Sequence, residues 1–126
     1  MTRETAPGEK PLIWIGPSLR DLKSFPAEAQ GGLGLALSTA QCGGKHPAVQ
    51  SWEGEGPGVL EIVEDHDGDT FRAIYRVRFA RAVYVLHAFQ KKSPKVIETR
   101  QSDIVLVRER LKAAQRSYDN LFGGSK

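Results

Sequence analysis

The sequence contains one cysteine, Cys42, so it can form neither an intrachain disulfide nor a zinc site built from several thiolates. Cys42 is either a reactive thiol or a small, partly buried side chain near the end of a helix, and we favour the second interpretation. The three histidines are about twenty residues apart, at His46, His66 and His87, and no pair has the spacing of metal ligands on a helix. The sequence therefore predicts no bound metal and no cofactor.

Long hydrophobic runs are also missing. No apolar stretch approaches the roughly 18 residues of a membrane-spanning helix, and the N-terminus lacks the hydrophobic region of a signal peptide. We therefore expect a cytoplasmic protein with no membrane partner. The chain has 126 residues, of which 40% are hydrophobic and 26% charged, as in one ordinary globular domain. We expect a disordered leader over residues 1–9, a single domain over residues 10–122 and a flexible tail over residues 123–126.

Positive charge is scarce in the first half of the chain and concentrated in the second. Residues 1–69 hold five Lys/Arg and eleven Asp/Glu, a net charge of −6, whereas residues 70–126 hold thirteen and four, a net charge of +9. A basic half suits nucleic acid or an acidic protein as partner. The alternative interpretation is that these charges only form a solvated surface of mixed sign and bind nothing.

The stretch over residues 70–94 predicts two β-strands joined by a tight turn. Its first strand alternates with the period of two that is typical of a half-buried strand. One face carries Phe71, Ala73, Tyr75, Val77 and Phe79, and the other carries Arg72, Ile74, Arg76 and Arg78. The second strand starts at Val83, is apolar on both faces and is expected to be central in its sheet. It leads to Lys91, Lys92 and Lys95, so this region predicts a site for a phosphate backbone.

Periodicity and turn residues predict the other elements. We expect an edge strand over residues 12–15, a helix from Ser18 to before Pro26, and a second helix over residues 26–41 that three glycines weaken. Residues 45–57 are expected to be a loop, and residues 59–64 a strand. The acidic run over residues 65–69 has its glycine one position too early for a calcium loop, so it predicts an Asp-Gly hairpin turn.

The last predicted helix starts with Ser102 or Asp103 as its cap and ends near Leu121. Its apolar stripe consists of Ile104, Val107, Leu111, Ala114, Tyr118 and Leu121. The element order β-α-α-β-β-β-α predicts an α+β fold, with a four-stranded, mostly antiparallel sheet and helices packed on one face.

The run AVYVLHAFQKKSPK, residues 82–95, closely resembles the signature of the phage-derived branch of the RelE/HigB-like toxins of bacterial toxin–antitoxin modules. Residues 10–16 are similar to the first strand of that family, residues 54–62 to its loop into the second strand, and residues 102–113 to its last helix. The resemblance covers residues 10–120 in order and implies a RelE-like arrangement of the same elements.

The resemblance implies an endoribonuclease, or mRNA interferase, that acts on mRNA on the ribosome and has a helix-turn-helix antitoxin as partner. Cleavage without a metal needs a base for the 2′-OH, cations for the crowded phosphorane and an acid for the leaving 5′ oxygen. Arg72 matches the catalytic arginine of the family, and its planar fork fits two phosphate oxygens. Lys91 and Lys92 match the two lysines of the family, which clamp phosphates or supply the acid.

The other candidate residues have weaker support. Arg76, Arg78 and Lys95 are expected to bind RNA, and Tyr84 either stacks on a base or belongs to the core. His87 and Glu61 are the candidate general bases. A buried structural role is favoured for His87, because strand alternation places it on the same face as Val83 and Val85.

Two glutamates, Glu61 and Glu64, stand on the strand where RelE-type toxins have lysines. They leave two alternatives open. One is a non-nuclease toxin that inhibits a protein target such as gyrase, as the ParE relatives do. The other is a degenerate phage-derived protein that only binds an antitoxin or nucleic acid.

Overall fold

A computed structural model describes residues 9–52, 58–77, 79–91 and 101–123, and for Lys91 it describes only the backbone. The elements in chain order are β1 (Leu12–Trp14), α1 (Ser18–Lys23), α2 (Ala27–Gln41), β2 (Val49–Ser51), β3 (Val59–His66), β4 (Asp69–Arg76), β5 (Val83–Lys91) and α3 (Gln101–Phe122). Apart from Glu9 and Gly123, the predicted leader and tail lie outside the described residues. In the part of the chain that is described, no helix is both long and apolar enough to cross a membrane.

The strands form one five-stranded mixed sheet in the order β1-β5-β4-β3-β2. β1 pairs parallel with β5, and the other neighbours are antiparallel. The α+β class and the edge position of β1 are confirmed. The prediction of four strands is wrong, because β2 lies in the stretch predicted as a loop. This strand has only three residues, and its pairing with β3 is a tertiary contact that local sequence cannot show.

Helices cover both faces of the sheet, which corrects the prediction of helices on one face. On one side, Leu33 and Leu37 of α2 pack in a core cluster with Ala73, Tyr75 and Val85. On the other side, the core cluster contains Val107, Ala114 and Tyr118 of α3 with Ile74, Tyr84 and Leu86. A central strand that is apolar on both faces requires cover on both. We call the second side the α3 face.

The ends of the predicted apolar patterns differ from the structure. Leu121 is 61% exposed, and Phe122 instead packs against the α3-face cluster. Phe79 lies beyond the end of β4 and stacks on Tyr118 with ring centroids 4.5 Å apart, so it does not share the face of Tyr75. Strand alternation stops predicting side-chain direction once the strand has ended.

Cys42 caps the C-terminal end of α2, as predicted, but its side chain is exposed rather than partly buried. The Asp-Gly turn is confirmed. Asp67 and Gly68 both have positive φ, 51° and 83°, which is the backbone of a two-residue type I′ hairpin turn. The turn sets the register of β3 against β4, with His66 opposite Asp69 and Val63 opposite Arg72.

A β-bulge changes the direction of His87. Across the β4–β5 pair, Ile74 is opposite His87 but Tyr75 is opposite Val85, so Leu86 is an extra residue on β5. Arg110 of α3 donates a hydrogen bond to the backbone oxygen of Leu86, 3.0 Å away. The bulge places His87 on the α3 face with Ile74, and the prediction that it shares a face with Val83 and Val85 is wrong.

Candidate active site

Three polar side chains on neighbouring strands form a connected chain on the α3 face. Gln50 of β2 lies opposite Glu61 of β3, and its Nε2 donates to Oε1 of Glu61 at 2.9 Å. Arg72 of β4 donates from Nη1 to Oε2 of the same carboxylate at 2.8 Å. Each carboxylate oxygen of Glu61 therefore has a different donor. We call these residues the Gln50–Glu61–Arg72 chain.

The hairpin turn explains why Glu61 and Arg72 meet. Because the turn has two residues, counting back from His66 and Asp69 puts Val63 opposite Arg72. Glu61 is two residues before Val63 and therefore points to the same face, where it is the diagonal neighbour of Arg72. The turn residues and the strand alternation were the sequence signals that could have revealed this contact.

Glu61 and Arg72 are largely removed from solvent, with 6% and 20% of their side chains exposed. A charged pair at this depth needs good geometry and further hydrogen bonds to compensate for lost hydration, and Gln50 supplies one of them. Within the described ranges, Nε of Arg72 is buried without a hydrogen-bond partner. The guanidinium has five N–H donors, so its bond to Glu61 leaves donors for a second anion.

This arrangement places a carboxylate in contact with a permanently charged cation. A carboxylate accepts protons from hydroxyl groups, and a guanidinium stabilises negative charge on phosphate oxygens. Both groups are needed at one linkage when the 2′-OH of RNA attacks the neighbouring phosphorus. Glu64 cannot share this role, because its side chain lies against Gly32 of α2 on the opposite face.

His87 is held between its own strand and α3. Its Nε2 lies 3.1 Å from Oδ1 of Asp103, and its ring stacks on Phe89 with centroids 4.5 Å apart. Burial lowers the pKa of His87, and its hydrogen bond to the accepting carboxylate of Asp103 only partly opposes that shift. The ring is therefore neutral near pH 7, and its contacts are those of a structural histidine. The sequence predicts Ser102 or Asp103 as the helix cap, but α3 begins at Gln101. The Asp103 carboxylate bonds to His87 instead.

We expect His87→Gln to lower the free energy of unfolding by about 1–3 kcal/mol at pH 8, because it removes the ring that stacks on Phe89 and replaces the fixed imidazole partner of Asp103 with a flexible amide. The folded-state pKa of His87 lies below the unfolded value of 6.5. The stability that His87 contributes is thus complete above pH 6.5 and is lost as the pH falls through the folded-state pKa. In denaturant titrations, the difference in the free energy of unfolding between variant and wild type should become smaller below pH 6.5. Equal stability at pH 8 would contradict the structural role.

The remaining candidate residues are not all brought to this site. Tyr84 is fully buried, and its hydroxyl lies 2.9 Å from Oγ of Ser117, so its ring belongs to the core and is not exposed for stacking on a base. The guanidinium of Arg76 lies over the ring of Phe79, 4.9 Å from its centroid. Arg78, Lys92 and Lys95 lie outside the described residues.

The backbone of β5 brings Lys91 to the same end of the sheet. Phe89 is opposite Arg72, and Lys91 is opposite Thr70. Two residues of strand span about 7 Å, so the Lys91 backbone is close to that of Arg72. Sequence reasoning missed Gln50 of the site, because no local signal distinguishes a three-residue strand in a stretch rich in glycine and proline.

A five-stranded α+β domain with three helices is compatible with a RelE-like fold. Residues 20–112, well over half of the chain, match the family described as phage derived protein Gp49-like (DUF891). The chain belongs to this family, which is a RelE/HigB-type toxin family of toxin–antitoxin modules. No curated protein and no solved structure matches the sequence. The family implies an antitoxin as partner.

Proposed function

We propose that this protein is the toxin of a type II toxin–antitoxin module and an endoribonuclease that cleaves mRNA on the ribosome. The contact between Glu61 and Arg72, at 2.8 Å, is the observation that carries the proposal. It joins the two groups that RNA cleavage needs first, a base and a cation for the phosphorane. Membership of a RelE/HigB-type family supports the choice of RNA as substrate.

In the proposed reaction, Glu61 takes the proton of a 2′-OH, and the 2′ oxygen attacks the adjacent phosphorus. Arg72 stabilises the charge on the phosphorane oxygens. The bond from phosphorus to the 5′ oxygen breaks, which leaves a 2′,3′-cyclic phosphate and a 5′-hydroxyl. Lys91 or Lys92 donates the proton that the 5′ oxygen takes up. The other lysine holds a phosphate oxygen.

The basic half of the chain supplies the rest of the proposed RNA site. Residues 70–126 carry a net charge of +9. Arg76, Arg78 and Lys95 are proposed to hold neighbouring phosphates, and Tyr84 has no part in the proposal because it is buried. The same charge suits an acidic or amphipathic segment of a helix-turn-helix antitoxin, which would then compete with RNA for this surface.

One observation favours a second candidate function, a non-nuclease toxin that inhibits a protein target such as gyrase. Arg72 is already neutralised by Glu61 in this structure, so the charge of its guanidinium is not offered to a phosphate without competition. A degenerate protein that only binds an antitoxin or nucleic acid has the same support.

The wild-type chain distinguishes these functions directly. We expect its expression to arrest growth, co-expression of the adjacent gene's product to relieve the arrest, and purified protein to cut ribosome-bound mRNA to fragments with 5′-hydroxyl ends. Mapping the 5′ ends of mRNA in arrested cells is the decisive measurement. Arrest with intact mRNA would support the non-nuclease toxin, and no arrest and no cleavage would support the degenerate protein.

A further inference from the structure

Gln50 is the member of the Gln50–Glu61–Arg72 chain that has no chemistry of its own in the proposed reaction. Its backbone lies on edge strand β2, directly opposite Glu61. Its Nε2 donates to Oε1 of Glu61 at 2.9 Å, whereas Arg72 donates to Oε2 at 2.8 Å. Among the described residues, Gln50 therefore contacts the site through the carboxylate that we propose as the base.

The terminal torsion of a glutamate side chain is broad, so its carboxylate rotates easily unless both oxygens are held. With Arg72 as its only donor, the carboxylate is expected to turn until both oxygens bond to the guanidinium, because the bidentate arrangement is the stronger one. Such a bidentate pair would occupy two N–H donors on one edge of the Arg72 guanidinium. The amide of Gln50 holds one oxygen away, so Arg72 engages Glu61 through Nη1 alone.

We propose that Gln50 is a positioning residue for RNA cleavage, an inference that rests on the proposed function. Its amide fixes the rotation of the Glu61 carboxylate. Arg72 thereby keeps donors for the phosphorane, and the carboxylate keeps a lone pair for the 2′-OH.

The test compares three variants of the full-length protein on ribosome-bound mRNA. Gln50→Met keeps the length of the side chain and removes the amide, and Gln50→Glu replaces the donor with a second carboxylate. Ser51→Ala is the matched control, because Ser51 is the next residue of the same exposed edge strand and is opposite Leu60 rather than Glu61. Melting temperature and antitoxin binding show whether each variant is folded.

We expect Gln50→Met to lower kcat about tenfold, since it removes one hydrogen bond to a charged group. KM and the affinity for a non-cleavable 2′-deoxy substrate should stay within about twofold of wild type, because the uncleaved phosphate is bound by other cations. Gln50→Glu should lower kcat further, about a hundredfold, because two carboxylates then repel each other. Ser51→Ala should cleave at the wild-type rate.

A double-mutant comparison separates positioning from a direct role. In the Glu61→Gln background, Gln50→Met should have no further effect on the residual rate, because Gln50 acts through the Glu61 carboxylate. A further loss in that background would overturn the inference, as would a loss confined to KM or a rate within twofold of wild type. If wild type cleaves mRNA and any of these results is found, only the positioning role of Gln50 is refuted and the proposed function stands. A wild type that leaves RNA intact refutes the proposed function as well.

Discussion

Replacing Arg72 with glutamine should lower the rate of mRNA cleavage by a factor of about a hundred or more. Removing a cation that stabilises a transition state typically costs a few kcal/mol. Glutamine is preferable to alanine here, because it keeps a polar amide and most of the side-chain volume beside the largely buried carboxylate of Glu61. An alanine would leave a cavity next to that carboxylate in addition to removing its charged partner, and would destabilise the fold more. Cleavage of ribosome-bound mRNA and growth arrest are the measurements.

The control for this prediction is Arg116→Gln, which removes the same charge from an exposed position on α3. It should cleave mRNA at nearly the wild-type rate, so any general effect of net charge on RNA binding is separated from catalysis. Arg72→Lys should fall between the two, because lysine keeps the charge but not the planar fork. A folded Arg72→Gln protein that cleaves as fast as wild type would remove Arg72 from the site.

The local elements of the fold follow from the sequence, because their signals lie within a few residues of one another. The helix over residues 26–41 and the hairpin turn at Asp67 and Gly68 are both where the pattern predicts them. The helix forms although Gly31, Gly32 and Gly34 weaken it, since its inner residues pack into the core. Tertiary packing outweighs the low helix propensity of the three glycines.

The features that the sequence could not reveal all depend on contacts between distant residues. The sequence of an amphipathic helix shows that the helix has an apolar face, but not which side of a sheet that face covers. In the structure, α3 covers the side opposite to α1 and α2. The bulge at Leu86 reverses the direction expected for His87. Alternation of apolar residues is the same with or without a bulge when both faces of the strand are apolar, so no pattern could have shown it.

The candidate site shows the same division. Arg72 is recognisable from its strand and its family motif, and Glu61 from the strand before the hairpin. Their contact required the register of β3 against β4. Predicting that Gln50 belongs to the site required knowledge of β2, a strand that the local sequence does not predict. The structure also changes the interpretation of Glu61. In the sequence, Glu61 stands where RelE-type toxins have a lysine, whereas in the fold it is the direct hydrogen-bond partner of Arg72.

Glu61→Gln should therefore give the largest loss of cleavage among the single substitutions, about a hundredfold to ten-thousandfold, because it removes the proposed general base. The amide has the shape of the carboxylate and still accepts a hydrogen bond from Arg72, so the fold and antitoxin binding should be retained. The matched control is Glu64→Gln, a neighbouring glutamate of β3 whose side chain lies on the opposite face against Gly32. It should cleave mRNA like wild type.

The opposite outcome for Glu61→Gln is equally informative, because Glu61 has two possible effects on Arg72. If the carboxylate acted only as a neutralising partner, its loss would release the charge of Arg72 for phosphate, and RNA affinity and cleavage would both rise. If the carboxylate is the base, affinity for a non-cleavable 2′-deoxy substrate rises or stays the same while cleavage collapses. Single-turnover cleavage on ribosomes, measured beside that affinity, separates the two. An increase in the cleavage rate would exclude Glu61 as the base and leave Arg72 with the lysines as the reacting groups.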